Sequence, residues 1–197
     1  LDLFWDVSSE APSYSLMDVS FNTLYLQNHH NELFSAALDS NILESIAFLP
    51  PLLEGKVHFP YMLGKKQEGG IAVFNLNDEA LLWKKNIFCN DVFFFSSGEF
   101  VGCLTTKSLY VYETMTGNLT FKTSHINASF TYQASYNEGA YFLRKNSLKH
   151  VDINAKQVNI IETKANHTML SFLRQKEVLR YNNKKTSLEC VDLVSKK

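Results

Sequence analysis

Residues 109–122 read LYVYETMTGNLTFK, and the same layout returns four more times along the chain. The matching stretches are LFSAALDSNILESI from Leu33, IAVFNLNDEALLWK from Ile71, LKHVDINAKQVNII from Leu148 and LECVDLVSKK from Leu188, so the steps are 38, 38, 39 and 40 residues. A fixed period of this size is the mark of an array or a propeller, in which each repeat buries its faces against its neighbours.

The residues around 109–122 define the repeating unit. Asp91–Phe95 is rich in β-formers and ends at the turn signal Ser96-Ser-Gly98. Phe100–Leu104 reads as a second strand, Leu109–Thr114 as a third and Asn118–Lys122 as a fourth. Met115-Thr-Gly117 turns the chain between the last two, with Gly117 free to take a positive φ. Four short antiparallel strands per repeat make one propeller blade. The other units predict first strands at Tyr14–Val19, a poor Leu52–Val57, Ser129–Ala134 and Thr168–Leu173. Second strands are expected at Leu24–Leu26, Pro60–Leu63, Ala140–Leu143 and Val178–Tyr181. Asn31–Ala47 could pass for a short helix, but the repeat register predicts strands there too.

The aligned columns are apolar. The fourth position of the third strand is Ala36, Phe74, Tyr112, Val151 and Val191, and the sixth is Leu38, Leu76, Thr114, Ile153 and Leu193. Fourth strands carry Leu43, Leu81, Leu119 and Val158, then Ser45, Trp83, Phe121 and Ile160 two places on. Residues two apart share a strand face, so these columns are expected to pack between blades. Phe93, Phe94 and Phe95 stand in a row and must point to both faces; they predict either an exposed partner patch or an inner strand buried on both sides.

The whole chain, 1–197, reads as one domain with repeats starting near 8, 47, 86, 125 and 164. Leu3, Phe4 and Trp5 align with Leu81, Leu82 and Trp83, so residues 1–7 are expected to be the outer strand of the last blade. That closes a five-bladed ring; the open alternative is a five-blade segment of a larger propeller.

Blade three, from Leu109 to Phe121, resembles the repeat of PQQ-like (quinoprotein-type) propellers: a strand, a polar residue, Thr-Gly, then a strand carrying an aromatic. Blade two keeps the strand and Trp83 but has Asn77-Asp78-Glu79 in place of Thr-Gly, and the other three keep only the apolar columns. The chain is similar, more loosely, to WD-repeat propellers, without a Trp-Asp ending or Gly-His opening. Quinoprotein enzymes hold their cofactor with adjacent cysteines, which this chain lacks. The resemblance therefore implies the cofactor-free branch, whose members serve as assembly scaffolds in bacterial envelopes or as sensor and chaperone domains in the endoplasmic reticulum lumen.

Composition narrows the function. Hydrophobic content of 45% fits a packed protein, and a net charge of −1 offers no basic field for nucleic acid or acidic membranes. No apolar run approaches the ~18 residues that span a bilayer; Ile46–Leu53 is broken by Pro50-Pro51. The cysteines, Cys89, Cys103 and Cys190, are odd in number and lack Cys-x-x-Cys spacing. Cys103 and Cys190 fall in expected strands and read as small buried apolar residues, favouring a reducing compartment. The sequons at Asn118, Asn127 and Asn166 point the other way.

Candidate chemistry is sparse. His29-His30 is expected in a surface turn with no third ligand at metal spacing. His150 falls in a strand and reads as an interior residue. Asp152 and Asp192 share a column with Glu113 and Asn75 beside them, which predicts turn capping or, alternatively, a ring of acceptors at the channel mouth. No P-loop, nucleophile elbow, His-Glu-x-x-His or dinucleotide motif occurs. The expectation is a non-enzymatic scaffold that binds a protein partner, with no catalytic, cofactor or metal residues and no membrane insertion. The alternatives are a ligand-binding or hydrolytic propeller with its site at the channel mouth, and a lumenal or envelope sensor or assembly-factor domain.

Overall fold

The computed structural model describes residues 14–192, apart from positions 21, 40–41, 51, 67–68, 137–138, 145–146, 163–166, 175–176 and 183–186. These residues form strands and turns only. Sheet I holds β1 (Tyr14–Ser20), β2 (Thr23–Asn28), β3 (Glu32–Ala37) and β4 (Glu44–Phe48). Sheet II holds β5 (Leu52–His58), β6 (Tyr61–Lys66), β7 (Ile71–Asn75) and β8 (Ala80–Lys85). Sheet III holds β9 (Asp91–Phe94), β10 (Phe100–Leu104), β11 (Leu109–Glu113) and β12 (Leu119–Thr123). Sheet IV holds β13 (Thr131–Tyr136), β14 (Gly139–Arg144), β15 (Ser147–Asp152) and β16 (Gln157–Glu162). Sheet V holds β17 (His167–Arg174), β18 (Glu177–Asn182) and β19 (Ser187–Asp192). Strand order within every sheet is sequential, each strand antiparallel to the next. The stretch that could have passed for a helix is β3 and β4.

First strands neighbour first strands: β1 packs beside β5, β5 beside β9 and β13 beside β17. β9 and β13 meet through Phe93, whose ring stacks on Tyr132 at 4.0 Å. All-β blades arranged in this way are those of a β-propeller. The strand expected to close the ring, residues 1–7, lies outside the described residues.

Among the described residues, three apolar layers hold the blades together. Met17, Tyr25 and Leu33 of sheet I meet Val57, Met62 and Phe74 of sheet II. Leu63, Val73 and Trp83 of sheet II meet Val92, Val101 and Tyr112 of sheet III. Phe95, Leu109 and Val111 of sheet III meet Phe130, Phe142 and Val151 of sheet IV. Period-two alternation divides one strand between two layers: Ala72 and Phe74 of β7 face sheet I, while Ile71 and Val73 face sheet III. A strand buried on both sides reads as a continuous apolar run, hence Ile71-Ala-Val-Phe74. Each fully buried large apolar side chain contributes about 1.5–3 kcal/mol, so the layers account for the cohesion of the array.

Two column expectations are corrected. Ala36, Phe74, Tyr112 and Val151 are buried, and Val191's side chain lies outside the description. Leu38, by contrast, is exposed, while Leu76, Thr114 and Ile153 of its column are buried. The fourth-strand columns pack between blades only in part: Trp83 joins the layer between sheets II and III, and Phe121 and Val158 lie half-buried against the layer between sheets III and IV, whereas Leu81, Leu119 and Ile160 are 50%, 53% and 65% exposed. These strands lie farthest from the axis, where blades splay apart, and only Trp83 of that set is buried.

Trp83 is buried because it reaches the next blade. Its indole N–H donates to the Thr114 carbonyl at 2.6 Å, and its ring covers Gly117, where an added Cβ would lie 2.7 Å from Cδ2. Gly117 has φ 69°, as the sequence predicts. The equivalent turn residues Glu79 and Lys156 take φ 49° and 52°, so the turn keeps its left-handed backbone where the glycine is gone.

Candidate functional site

A four-strand meander puts its first-to-second and third-to-fourth turns at one end, and its middle turn at the other. The connectors that return the chain from an outer strand to the next inner strand share the middle-turn end, called here the connector end. Three large apolar side chains stand out there. Phe48 ends β4, Leu53 is the second residue of β5 and Phe88 sits in the β8–β9 connector; they are 62%, 63% and 74% exposed.

The Phe88 loop is fastened on its far side. Cys89 is disulfide-bonded to Cys103 of β10, with both residues buried. The Asn90 N–H donates to the Leu104 carbonyl at 2.7 Å, and Lys65 Nζ donates to the Asn90 carbonyl at 3.2 Å. A phenyl group is thereby held in solvent by a loop that has little freedom.

The disulfide corrects the cysteine reading. Cys103 is buried as expected, but as half of a cross-link rather than as a free apolar residue, and Cys190 is exposed. The pairing was hidden because Cys89 lies in a connector, outside any strand column. The hairpin register was the available signal: Val92 pairs with Cys103, which brings the connector just before β9 alongside β10.

A second group missed at the sequence level surrounds the inner strands. Lys65 Nζ lies 3.0 Å from Glu54 Oε2, and Lys56 Nζ lies 3.9 Å from Asp18 Oδ1 and 4.0 Å from Glu54 Oε1. Asp18 Oδ2 also accepts from the Val57 N–H at 2.7 Å, tying sheet I to sheet II. Asp91 joins the cluster; burial, and then the Glu54 charge, push its carboxyl above the usual aspartate range, against the Val92 N–H and the two lysines. Asp18 and Lys56 are one repeat apart, so opposite charge at the repeat period was the legible trace. Carboxylates and ammonium groups compensate one another here, which makes the cluster a brace between blades.

The expected site residues are dispersed. Asn75 Oδ1 accepts from the Asn77 N–H at 3.0 Å, Asp152 Oδ1 accepts from the Ala155 N–H at 2.9 Å, and Glu113 accepts from the Thr116 hydroxyl. All three hold third-to-fourth turns, far from the axis, so the capping expectation describes them and the channel-mouth ring does not. Asp192's side chain lies outside the description. His29 and His30 occupy the exposed β2–β3 turn with ring centroids 3.8 Å apart. Among the described residues no third His, Cys, Asp or Glu joins them. His150 is half-buried against Tyr141, centroids 4.7 Å apart, and burial lowers its pKa. Phe93 and Phe95 are buried on the same side of the inner strand path, in the layer shared with sheet IV, and Phe94 is half-buried on the opposite side against the layer shared with sheet II, so this run is core and no patch. Asn118 is exposed, Asn127 half-buried, and Asn166 lies outside the described residues.

A shallow cleft between β12 and the β15–β16 turn is lined by Lys122, His125 and Lys156 among others. Lys122 is engaged over the Tyr110 ring at 4.8 Å, leaving no convergent set of polar groups.

Solved structures similar to this chain are propellers. A computationally designed protein, Ika8, superposes with TM-score 0.61 at 12% identity, over 90% of this chain and 57% of its own. BamB from Moraxella catarrhalis, a PQQ-like propeller, matches with TM-score 0.51 at 12% identity, over 88% of this chain and 62% of its own. KlHsv2 with loop 6CD replaced by a Gly-Ser linker matches with TM-score 0.57 at 9% identity, over 92% and 66%. The chain thus spans about three-fifths of the length of these structures. No protein family and no curated protein matches the sequence. The class defined by fold and neighbours is the β-propeller; identities this low speak for fold alone.

Proposed function

We propose that the chain is a non-enzymatic propeller scaffold that holds a protein partner at its connector end. The observation that carries this reading is Phe88, 74% exposed on a loop fastened by the disulfide and two backbone contacts. An exposed aromatic whose neighbouring backbone is already anchored needs less ordering on binding, which is how interface anchors work. Phe48 and Leu53 extend apolar surface at the same end. The rival reading, a ligand-binding or hydrolytic site in the Asp152/Asp192 column, finds its described acceptors already holding their own turns.

A photo-reactive phenylalanine analogue at position 88 should cross-link one protein in the native extract. Pulled down with the chain itself as immobilised bait, the same protein should be retained by the parent and lost from Phe88→Ser and from the triple variant with Phe48→Ser and Leu53→Ser, with thermal stability changed by less than ~0.5 kcal/mol as for ordinary surface substitutions. Undiminished capture by the triple variant overturns the proposal.

The disulfide favours one setting for this scaffold. Buried disulfides form and persist in oxidising compartments, so a lumenal or envelope assembly-factor or sensor domain is the second reading.

A further inference from the structure

We propose that Asn118 is an N-glycosylation site, a modification that rests on the oxidising-compartment reading above. Three independent features meet at this residue. Asn118-Leu-Thr120 is an acceptor sequon, and such sites must be at the surface to carry a bulky, solubilising glycan. Asn118 is exposed in the turn that leads from Gly117 into β12. Its backbone is pinned, the N–H donating to Thr116 Oγ1 at 3.1 Å and the carbonyl accepting from the Glu113 N–H at 2.9 Å. Its side-chain amide makes no hydrogen bond to the described residues, so the nitrogen is presented without a competing role.

The buried Cys89–Cys103 bond supplies the second, separate indication of compartment, since two thiols must pass two electrons and two protons to a disulfide-bearing oxidant to form it. The sequon at Asn127 differs: its Oδ1 accepts from both the Ser129 N–H, at 3.0 Å, and the Ser129 hydroxyl, at 2.6 Å, and the residue is half-buried.

In the modification, Asn118 Nδ2 bonds to the anomeric carbon of a lipid-pyrophosphate-linked oligosaccharide. The bond from that carbon to the pyrophosphate oxygen breaks, the lipid pyrophosphate leaves with the electron pair, and the amide loses one proton. A glycan here would stand at the head of β12, the outer strand of sheet III, which pairs with β11 and with no other strand among the described residues, beside exposed Leu119. Sheet edges with exposed apolar residues invite edge-to-edge pairing, and a glycan blunts one. It would also stand at the end opposite Phe88, leaving the proposed partner surface open.

The test uses protein isolated from the cells that make it, alkylated with N-ethylmaleimide during lysis. Peptide-N-glycosidase treatment in heavy-oxygen water should convert Asn118 to labelled aspartate, with Cys89 and Cys103 recovered as one cross-linked peptide pair. Asn118→Gln should abolish the enzyme-dependent mobility shift at that site, and Asn127→Gln should leave it intact. Unlabelled Asn118 with linked cysteines overturns the glycan assignment and leaves the compartment reading standing. Alkylated Cys89 and Cys103 overturn both. Loss of partner capture by Phe88→Ser is read separately and is unaffected by either result.

Discussion

Replacing Gly102 with alanine tests the packing between sheets III and IV at a single atom. Gly102 lies in β10 beneath the Phe93 ring, and a Cβ built on it would sit 2.2 Å from Cζ, 2.5 Å from Cε2 and 2.7 Å from Cε1. Carbon atoms rest at about 3.5–4.0 Å, so the ring must retreat by more than an ångström. It has nowhere to go. Tyr132 stacks on it at 4.0 Å, and the Phe95 and Phe142 rings lie 5.4 and 5.7 Å away. Overpacking of this kind costs about 1–3 kcal/mol, and the boxed ring places Gly102→Ala at the upper end. For a chain of this size that is roughly 2–4 °C of melting temperature per kcal/mol.

The cost belongs to the ring tip, which makes it separable. Phe93→Leu lacks Cζ and both Cε atoms; alone it should cost ~1–2 kcal/mol through lost contacts. In that background Gly102→Ala should become nearly neutral, so the double variant should be more stable than the sum predicts by at least ~1 kcal/mol, a coupling expected only of residues in contact. Urea unfolding, followed by far-ultraviolet circular dichroism, measures all four corners of the cycle. Additivity to within ~0.5 kcal/mol would mean that the two residues do not touch, and the interblade layer would have to be redrawn.

Trp83→Phe removes the indole N–H that satisfies the buried Thr114 carbonyl; the unfolding midpoint should fall by an amount equivalent to about 1–3 kcal/mol with the circular dichroism spectrum unchanged. Lys156→Gly relieves a left-handed residue and should raise stability by roughly 0.5–1 kcal/mol, whereas Gly117→Ala should lower it, both read from melting temperatures. Asp91 has a carboxyl whose folded pKa is raised, so the folded state holds its proton more tightly than the unfolded chain does, and this residue's contribution falls as pH rises through the window above the ordinary value of 3.8. Asp91→Asn should therefore melt higher than the parent at pH 7, with the difference shrinking toward pH 4; a difference that grows on acidification contradicts the assignment.

The parts of this fold legible in the sequence are those enforced by burial on both sides of a strand. Phe74, Tyr112 and Val151 recur because each fills a layer between two sheets, and even the weak-looking Leu52–Val57 forms an inner strand. Apolar residues in outer strands carry the same letter pattern without the same constraint. Leu81 and Leu119 align with one another and are half-exposed, because strand alternation records which side a residue faces and not whether anything is opposite. The cysteine pairing needed a contact between a connector and a strand, and neither residue belongs to a repeated column. The charged brace was visible only as Asp18 and Lys56 one period apart, since repeat alignment rewards sameness and an ion pair requires difference.

Divergence among the repeats also says where function should be sought. Glu79, Gly117 and Lys156 hold the same backbone conformation with three unrelated side chains, so the architecture tolerates a strained residue at the turn when the layers beneath are intact. Whatever repeats in this chain is accounted for by packing. What does not repeat has to be explained otherwise, and among the described residues three such features, besides the charged brace, lie on one blade: a cross-link, an exposed phenylalanine on the loop that it fastens, and an exposed asparagine at the opposite end. Their convergence on sheet III sets the proposed partner contact at the connector end of one blade and the proposed glycan at its other end. A partner surface found instead on sheet IV or at the end opposite Phe88 would break that link between departure from the repeat and function.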